Sequence, residues 1–164
     1  YHAEFRAIFE TKTLSADPTI YIHISSKVEK QDAPAGKENW FVMVNAPINV
    51  GQDWDHEIQL LRTRILKKLS QSLGTDIEPL IEVEQINEPR LIEKNYNGKQ
   101  GSIYGNASNN AFSAFLRHPN FSKQLKGLYF AGVTVHPGGG IPLAINSAKI
   151  VARCVQEDYP SLRK

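Results

Sequence analysis

The chain has 164 residues, 41% of them hydrophobic and 22% charged, with a formal net charge of +2. That length carries one domain with a real core, and the composition is that of an ordinary globular protein. The charge is not gathered into a basic block, so no nucleic-acid partner is expected; no apolar run reaches the roughly 20 residues of a membrane span, and the lone Cys154 leaves no disulfide framework and fits a reducing compartment.

"YHAEFRAIFE" places Tyr1, Phe5, Ile8 and Phe9 at helical spacing and predicts a short amphipathic helix. "DPTIYIHISS" alternates from Ile20 and predicts a strand. "EKQDAPAGKEN" is a polar loop with Pro34 and Gly36, and "WFVMVNAP" (residues 40 to 47) predicts a second strand, antiparallel to the first across that loop. Its alternation sends Trp40 and Val42 one way, Phe41 and Met43 the other. A long helix follows, capped by Asp53, with Asp55 and Glu57 against its N-terminal dipole. Ile58, Leu61, Ile65, Leu69 and Leu73 form its apolar stripe, and Gly74 stops it. Its Arg62, Arg64, Lys67 and Lys68 read as a solvated face or, alternatively, as a contact for anionic lipid headgroups.

"IEPLIEVEQIN" predicts a third strand through Ile81, Val83 and Ile86, and "EPRLIEKNYNG" a short helix from Pro89 ending in a turn. "GSIYGNASNNAFSAFLRHPNFSKQ" has little periodicity and reads as a long ordered loop presenting Tyr104, Phe112, Phe115 and Phe121. "GLYFAG" predicts a short buried strand, and residues 142 to 157 a last helix. The predicted class is α+β: a small, mostly antiparallel sheet covered by helices, followed by a strand, a glycine loop and a helix.

Five of the eleven glycines lie between Gly127 and Gly140, where "AGVTVHPGGGIPLAINSAK" joins that strand to the last helix. Unpaired N–H groups at a helix start carry partial positive charge, and glycine lets a ligand come close to backbone. Pro142 fits the first helical turn. The unit is shaped for a phosphate or another electron-rich group; read from the residues alone, a tight structural turn remains the other reading. No G-x-G-x-x-G opens a helix and no P-loop lysine follows, so this is not a main dinucleotide site. Ala144, Ser147, Ala148 and Ala152 give the last helix a small-residue face, and Ile141, Ile145, Val151 and Val155 are its expected apolar contacts.

"GLYFAGVTVHPGGGIPLAINSAKIVA" resembles the C-terminal signature of the bacterial-type phytoene desaturases, a family of FAD-dependent carotenoid desaturases with isomerase and oxidase relatives. The match runs through Gly132, His136, Pro137, Gly138, Gly140, Ile141, Pro142, Ser147, Ala148 and Lys149. "AEFRAIF", the two strands around "APAGKEN", and "GSIYG" resemble successive segments of the same family. The common family pattern is closer to "GAGTHPGAGIP"; here Val133 and Val135 flank Thr134, and Gly139 stands in place of the common alanine.

The resemblance covers essentially the whole chain but roughly the last third of a family member. It implies a C-terminal fragment, in keeping with a start at Tyr1 and no leader pattern, and a parent whose N-terminal Rossmann region is missing here. It further implies a substrate-binding portion at residues 1–126, an FAD-contacting strand–loop–helix at 127–157 that completes the FAD-binding domain, and a tail at 158–164. FAD would then lie along Gly132, Val133, Thr134, His136, Pro137, Gly138, Gly139, Gly140, Ile141 and Pro142, with the helix dipole aimed at the flavin. The parent would remove hydrogens from a long isoprenoid in carotenoid biosynthesis, and the fragment alone is expected to be inactive and not to retain FAD.

The lipophilic carotenoid would contact Tyr104, Phe112, Phe115 and Leu116, unless these residues are ordinary core. His136 is the one catalytic candidate, its other reading being a ring that hydrogen-bonds the backbone and rigidifies the loop. His2, His23, His56 and His118 show no paired metal spacing, so no metal is expected. The expected location is cytoplasmic, with peripheral contact at the inner face of the membrane. Two further readings are another flavoprotein of the same superfamily (amine oxidase-like or carotenoid oxygenase- or isomerase-like) and a non-enzymatic lipid- or protein-binding module. The residues do not fix an oligomeric state.

Overall fold

A computed structural model describes residues 1–105 and 117–162. The chain divides into two compact units, Tyr1–Pro89 and Arg90–Lys164. The class is α+β, as the hydrophobic pattern predicts, with a two-stranded antiparallel sheet among the described residues.

The first unit opens with α1 (His2–Arg6), which runs into a π-helical turn (Ala7–Thr11). Lys12 ends it in the left-handed conformation, at φ 57°. Ile8 is buried, while the rings of Tyr1, Phe5 and Phe9 stack along one side at 4.5 Å and 5.6 Å. Strands β1 (Ile20–His23) and β2 (Phe41–Val44) pair in the register Ile20–Val44, Tyr21–Met43, Ile22–Val42 and His23–Phe41. The pleat sorts their side chains. Ile20, Ile22 and Val44 are half-buried; Tyr21, His23, Phe41 and Met43 lie on the open face.

Helix α2 (Trp54–Leu73) has the ends its sequence dictates. Asp53 accepts the His56 N–H at 3.2 Å, satisfying one orphan donor of the first turn. Gly74 closes the helix at φ 68°, where a side chain would be strained. Trp54 is buried at its start, its indole N–H donating to Asn49 Oδ1 at 2.9 Å. With Ile8, Leu14, Leu69 and Ile77 it forms the apolar core of the unit.

Of the four cations on α2, Lys67 is exposed and the other three are engaged within the fold. Arg62 grips Glu78 and Glu84, Arg64 donates to the Ser15 carbonyl at 3.1 Å, and Lys68 holds Asp17 and the Pro18 carbonyl. Arg62 also explains why the third strand does not form. Residues 78–80 turn as a 3₁₀ helix, Pro79 has no N–H to offer a ladder, and Glu78 and Glu84 are both fastened to one guanidinium. Val83 is left 90% exposed.

Helix α3 (Pro89–Tyr96) starts at the proline the sequence marks. In the second unit, "GLYFAG" is not a buried strand. Phe121 and Tyr129 form one antiparallel bridge, His118 and Val135 one parallel bridge, and Leu128 is exposed. The rungs are Ser122 N–H to Leu128 O, Phe130 N–H to Asn120 O and His136 N–H to His118 O, at 2.9, 2.8 and 2.9 Å. Helix α4 (Ile141–Asp158) follows, with Gly140 before it and Pro142 in its first turn. Ser147 is its fully buried residue; Ala148 and Ala152, and the expected contacts Ile141 and Ile145, are exposed. Among the described residues no helix is long and apolar enough to cross a membrane.

Candidate functional site

The segment between residue 130 and α4 takes a path that ordinary residues resist. Gly132, Gly138 and Gly140 have φ of 137°, 140° and 99°, a region L side chains rarely occupy. Between them the His136–Pro137 peptide is cis. The last glycine stands at the N-cap of α4, where no side chain caps the first turn. The N–H groups of that turn are thus left to other acceptors, at the positive end of an 18-residue helix.

Two of the segments singled out by sequence are brought together here. "GSIYG" lies against the glycine segment. A Cβ on Gly105 would touch Thr134 Cβ at 3.3 Å, and one on Gly139 would fall 2.7 Å from Tyr104 Cδ1. Arg117 ties the two, its Nη1 donating to Tyr104 O at 3.0 Å and Val133 O at 3.1 Å. Its Nε also approaches Gly138, where a Cβ would stand at 3.2 Å. Tyr104, Arg117, Pro137, Gly138, Gly139, Gly140 and Leu143 line an open cleft of about 410 Å³.

Tyr104, expected at substrate, therefore sits beside the residues expected at cofactor. Phe112, Phe115 and Leu116 lie outside the described residues. His136 is exposed, and it is its backbone that is tied: the N–H donates to His118 O at 2.9 Å and the carbonyl accepts from Asn120 Nδ2 at 2.8 Å. Thr134 is exposed, Val133 and Pro137 are half-buried, and Val135 and Gly138 are buried. Among the described residues no cluster of His, Cys, Asp or Glu could hold a metal ion.

Sequence reasoning missed Asn120 and Arg117. Both lie within "RHPN", in the segment read as a loop. The only signal in the sequence was their closeness to the glycine segment. Asn120 is 3% exposed, and its amide nitrogen meets Phe130 O, His136 O and Ser147 Oγ.

No protein-family model matches the chain. It is 54% identical over 93% of its length to the 1-hydroxycarotenoid 3,4-desaturase of Flavobacterium sp. (strain P99-3). It is 36% identical over 92% of its length to the 4,4'-diapophytoene desaturase (4,4'-diaponeurosporene-forming) of Staphylococcus aureus (strain Newman), and 29% identical over 96% to the phytoene desaturase of Fusarium fujikuroi. The chain is thus homologous to carotenoid desaturases over nearly all its residues, and it spans 31% of the length of each of these curated relatives.

Proposed function

We propose that this chain is the C-terminal, cofactor-contacting part of an FAD-dependent carotenoid desaturase, an oxidoreductase, with residues 132–142 lying against FAD. One observation carries the reading: the strained glycine segment and the uncapped start of α4 line an open cleft, in a chain homologous throughout to carotenoid desaturases.

The residues fit such a group. Among the described residues nothing lies within 4 Å of where a Cβ would stand on Gly132 or Gly140, so at both the backbone is bare toward a ligand. The first-turn N–H groups of α4 would receive electron-rich atoms of the ligand, and its dipole would favour partial negative charge there. FAD, when bound, would supply the hydride acceptance that a desaturation requires. The chain would orient the cofactor through backbone and keep Tyr104 at the edge of the cleft, where a lipophilic polyene would pass. The cofactor side would then be residues 127–157 together with Tyr104, Arg117 and Asn120 from the end of the substrate-binding portion expected at 1–126. A carotenoid substrate resides in lipid, so we place the longer protein in the cytoplasm with peripheral membrane contact. Arg62, Arg64 and Lys68 would not make that contact, being committed within the fold.

The test is the visible absorption spectrum of the longer protein that carries this chain. A flavin spectrum, weakened by bulky replacement of Gly138 or Gly140, supports the reading. A colourless protein that also fails to take up added FAD overturns it.

A further inference from the structure

We infer that Asn120 is a positioning residue for the glycine segment: its side-chain amide, with Ser147 Oγ, holds residues 130–136 in the shape the cofactor meets. The ligand in this inference rests on the FAD reading above; the fixing of the backbone rests on this chain alone.

Asn120 Nδ2, with two N–H groups, faces three acceptors, Phe130 O at 3.0 Å, His136 O at 2.8 Å and Ser147 Oγ at 2.8 Å, so that one N–H is shared between two of them. Ser147, with no exposed surface, accepts the Gly132 N–H on the same oxygen at 3.1 Å. Two of the amide's partners are backbone carbonyls, which only accept. The nitrogen, not the oxygen, must therefore face them, and the orientation of the side chain is fixed.

Phe130 and His136 bracket the excursion that passes through Gly132 at φ 137°. One buried side chain thus fastens both ends of that excursion, and α4 fastens its start through Ser147. Without the amide, part-buried carbonyls lose their donor, which favours a path that opens toward water. Asn is well matched to the task. Asp offers no N–H to the carbonyls and would set a charge against them, Ala leaves the acceptors empty, and Gln is a methylene too long for a packed site.

The test uses the full-length protein, as wild type and as Asn120→Ala, Asn120→Asp and Ser147→Ala. Three readouts apply: the FAD dissociation constant, the shape of the bound flavin's absorption band, and amide hydrogen exchange of residues 131–136 in the FAD-free protein. Both Asn120 variants should weaken FAD binding about ten- to a hundredfold. They should alter the band shape and speed exchange in 131–136, while exchange in α2 stays unchanged. Ser147→Ala should act in the same direction with a smaller effect. The double variant Asn120→Ala with Ser147→Ala should be milder than the product of the singles, since the two share a bond.

Folded Asn120 and Ser147 variants with wild-type FAD affinity and wild-type exchange overturn the inference. Should Asn120→Ala not fold, Ser147→Ala decides it on the same readouts, because it removes the oxygen that joins the amide to the Gly132 N–H: wild-type affinity and exchange in that variant overturn the inference. A wild-type protein that takes up no FAD overturns the flavin reading instead. Hydrogen exchange then decides the positioning role alone: faster exchange in the variants upholds it, unchanged exchange overturns it.

Discussion

The ring of Tyr104 rests on the backbone of Gly139, so closely that a methyl group at residue 139 would stand 2.7 Å from Cδ1 and 2.8 Å from Cγ. These atoms are near the root of the tyrosine side chain, so the ring cannot simply swing its tip aside. Gly139 has no left-handed φ of its own, so a positive φ is not what selects glycine there. The clash is therefore the whole objection to a side chain there. Gly139→Ala should destabilise the protein by about 1–3 kcal/mol, the usual cost of overpacking. In a Tyr104→Ala background the same change should cost almost nothing. Urea denaturation of the two singles and the double measures the coupling. Strict additivity would show that the ring does not rest where the structure puts it.

Gly140 is the opposite case. Among the described residues nothing lies within 4 Å of its missing Cβ, yet its φ of 99° and ψ of 151° belong to glycine. Gly140→Ala should cost about 1–3 kcal/mol through backbone strain alone. That cost should be the same with or without Tyr104. A cost that disappears on removing Tyr104 would mean that packing, not conformation, selects glycine here.

How much of this was legible in the sequence depends on the physics behind each feature. The ends of α2 were legible because a cap and a terminating glycine act locally: Asp53 and Gly74 do their work within one turn. The pairing of β1 with β2 was legible because alternation and the intervening loop are local too. The third strand was misread because Ile81, Val83 and Ile86 alternate like a strand, but a strand needs a partner edge. Glu78 and Glu84 instead pair with Arg62 on α2, a contact between side chains 16 and 22 residues apart. The glycine segment was legible as an unusual backbone path, since φ above zero selects glycine by sterics. Asn120 was not. A single polar residue in a polar stretch carries no periodicity, and its burial arises only when residues 118–122, 128–136 and α4 come together.

The acid stability of the first unit should depend on Glu4. This residue is 3% exposed, and its carboxylate accepts the Thr19 hydroxyl at 2.7 Å, the Thr19 N–H at 3.2 Å and Asn45 Nδ2 at 3.4 Å. Burial works against the charge, but the Thr19 and Asn45 bonds outweigh it and hold the carboxyl below its ordinary 4.5. A lowered folded-state pKa stabilises the fold above the ordinary value, and that stability is lost as pH falls through the lowered one. Thermal melts of the wild type should therefore drop in Tm as the pH goes below 4.5. Glu4→Gln should be less stable at neutral pH and show a flatter acid limb. Parallel acid limbs in the two proteins would sink this account.

At the alkaline end the corresponding group is Tyr129, whose hydroxyl donates to Asp158 Oδ2 near the end of α4. That hydrogen bond, then desolvation and the Asp158 charge, push the phenol from 10.0 up to about 12. The sign follows from the donor's role: ionising the phenol removes the proton that makes the bond and sets two negative groups together. The bond's contribution is fully present below 10.0 and lost as the pH rises through about 12. A tyrosinate absorbance titration of the folded protein should show Tyr129, assigned by Tyr129→Phe, ionising in that range. Asp158→Asn should bring it back toward 10.0, since a neutral amide neither repels the phenolate nor holds the proton as strongly. A Tyr129 that titrates at the same pH with and without the Asp158 carboxylate would mean that the phenol and α4 are not joined in solution.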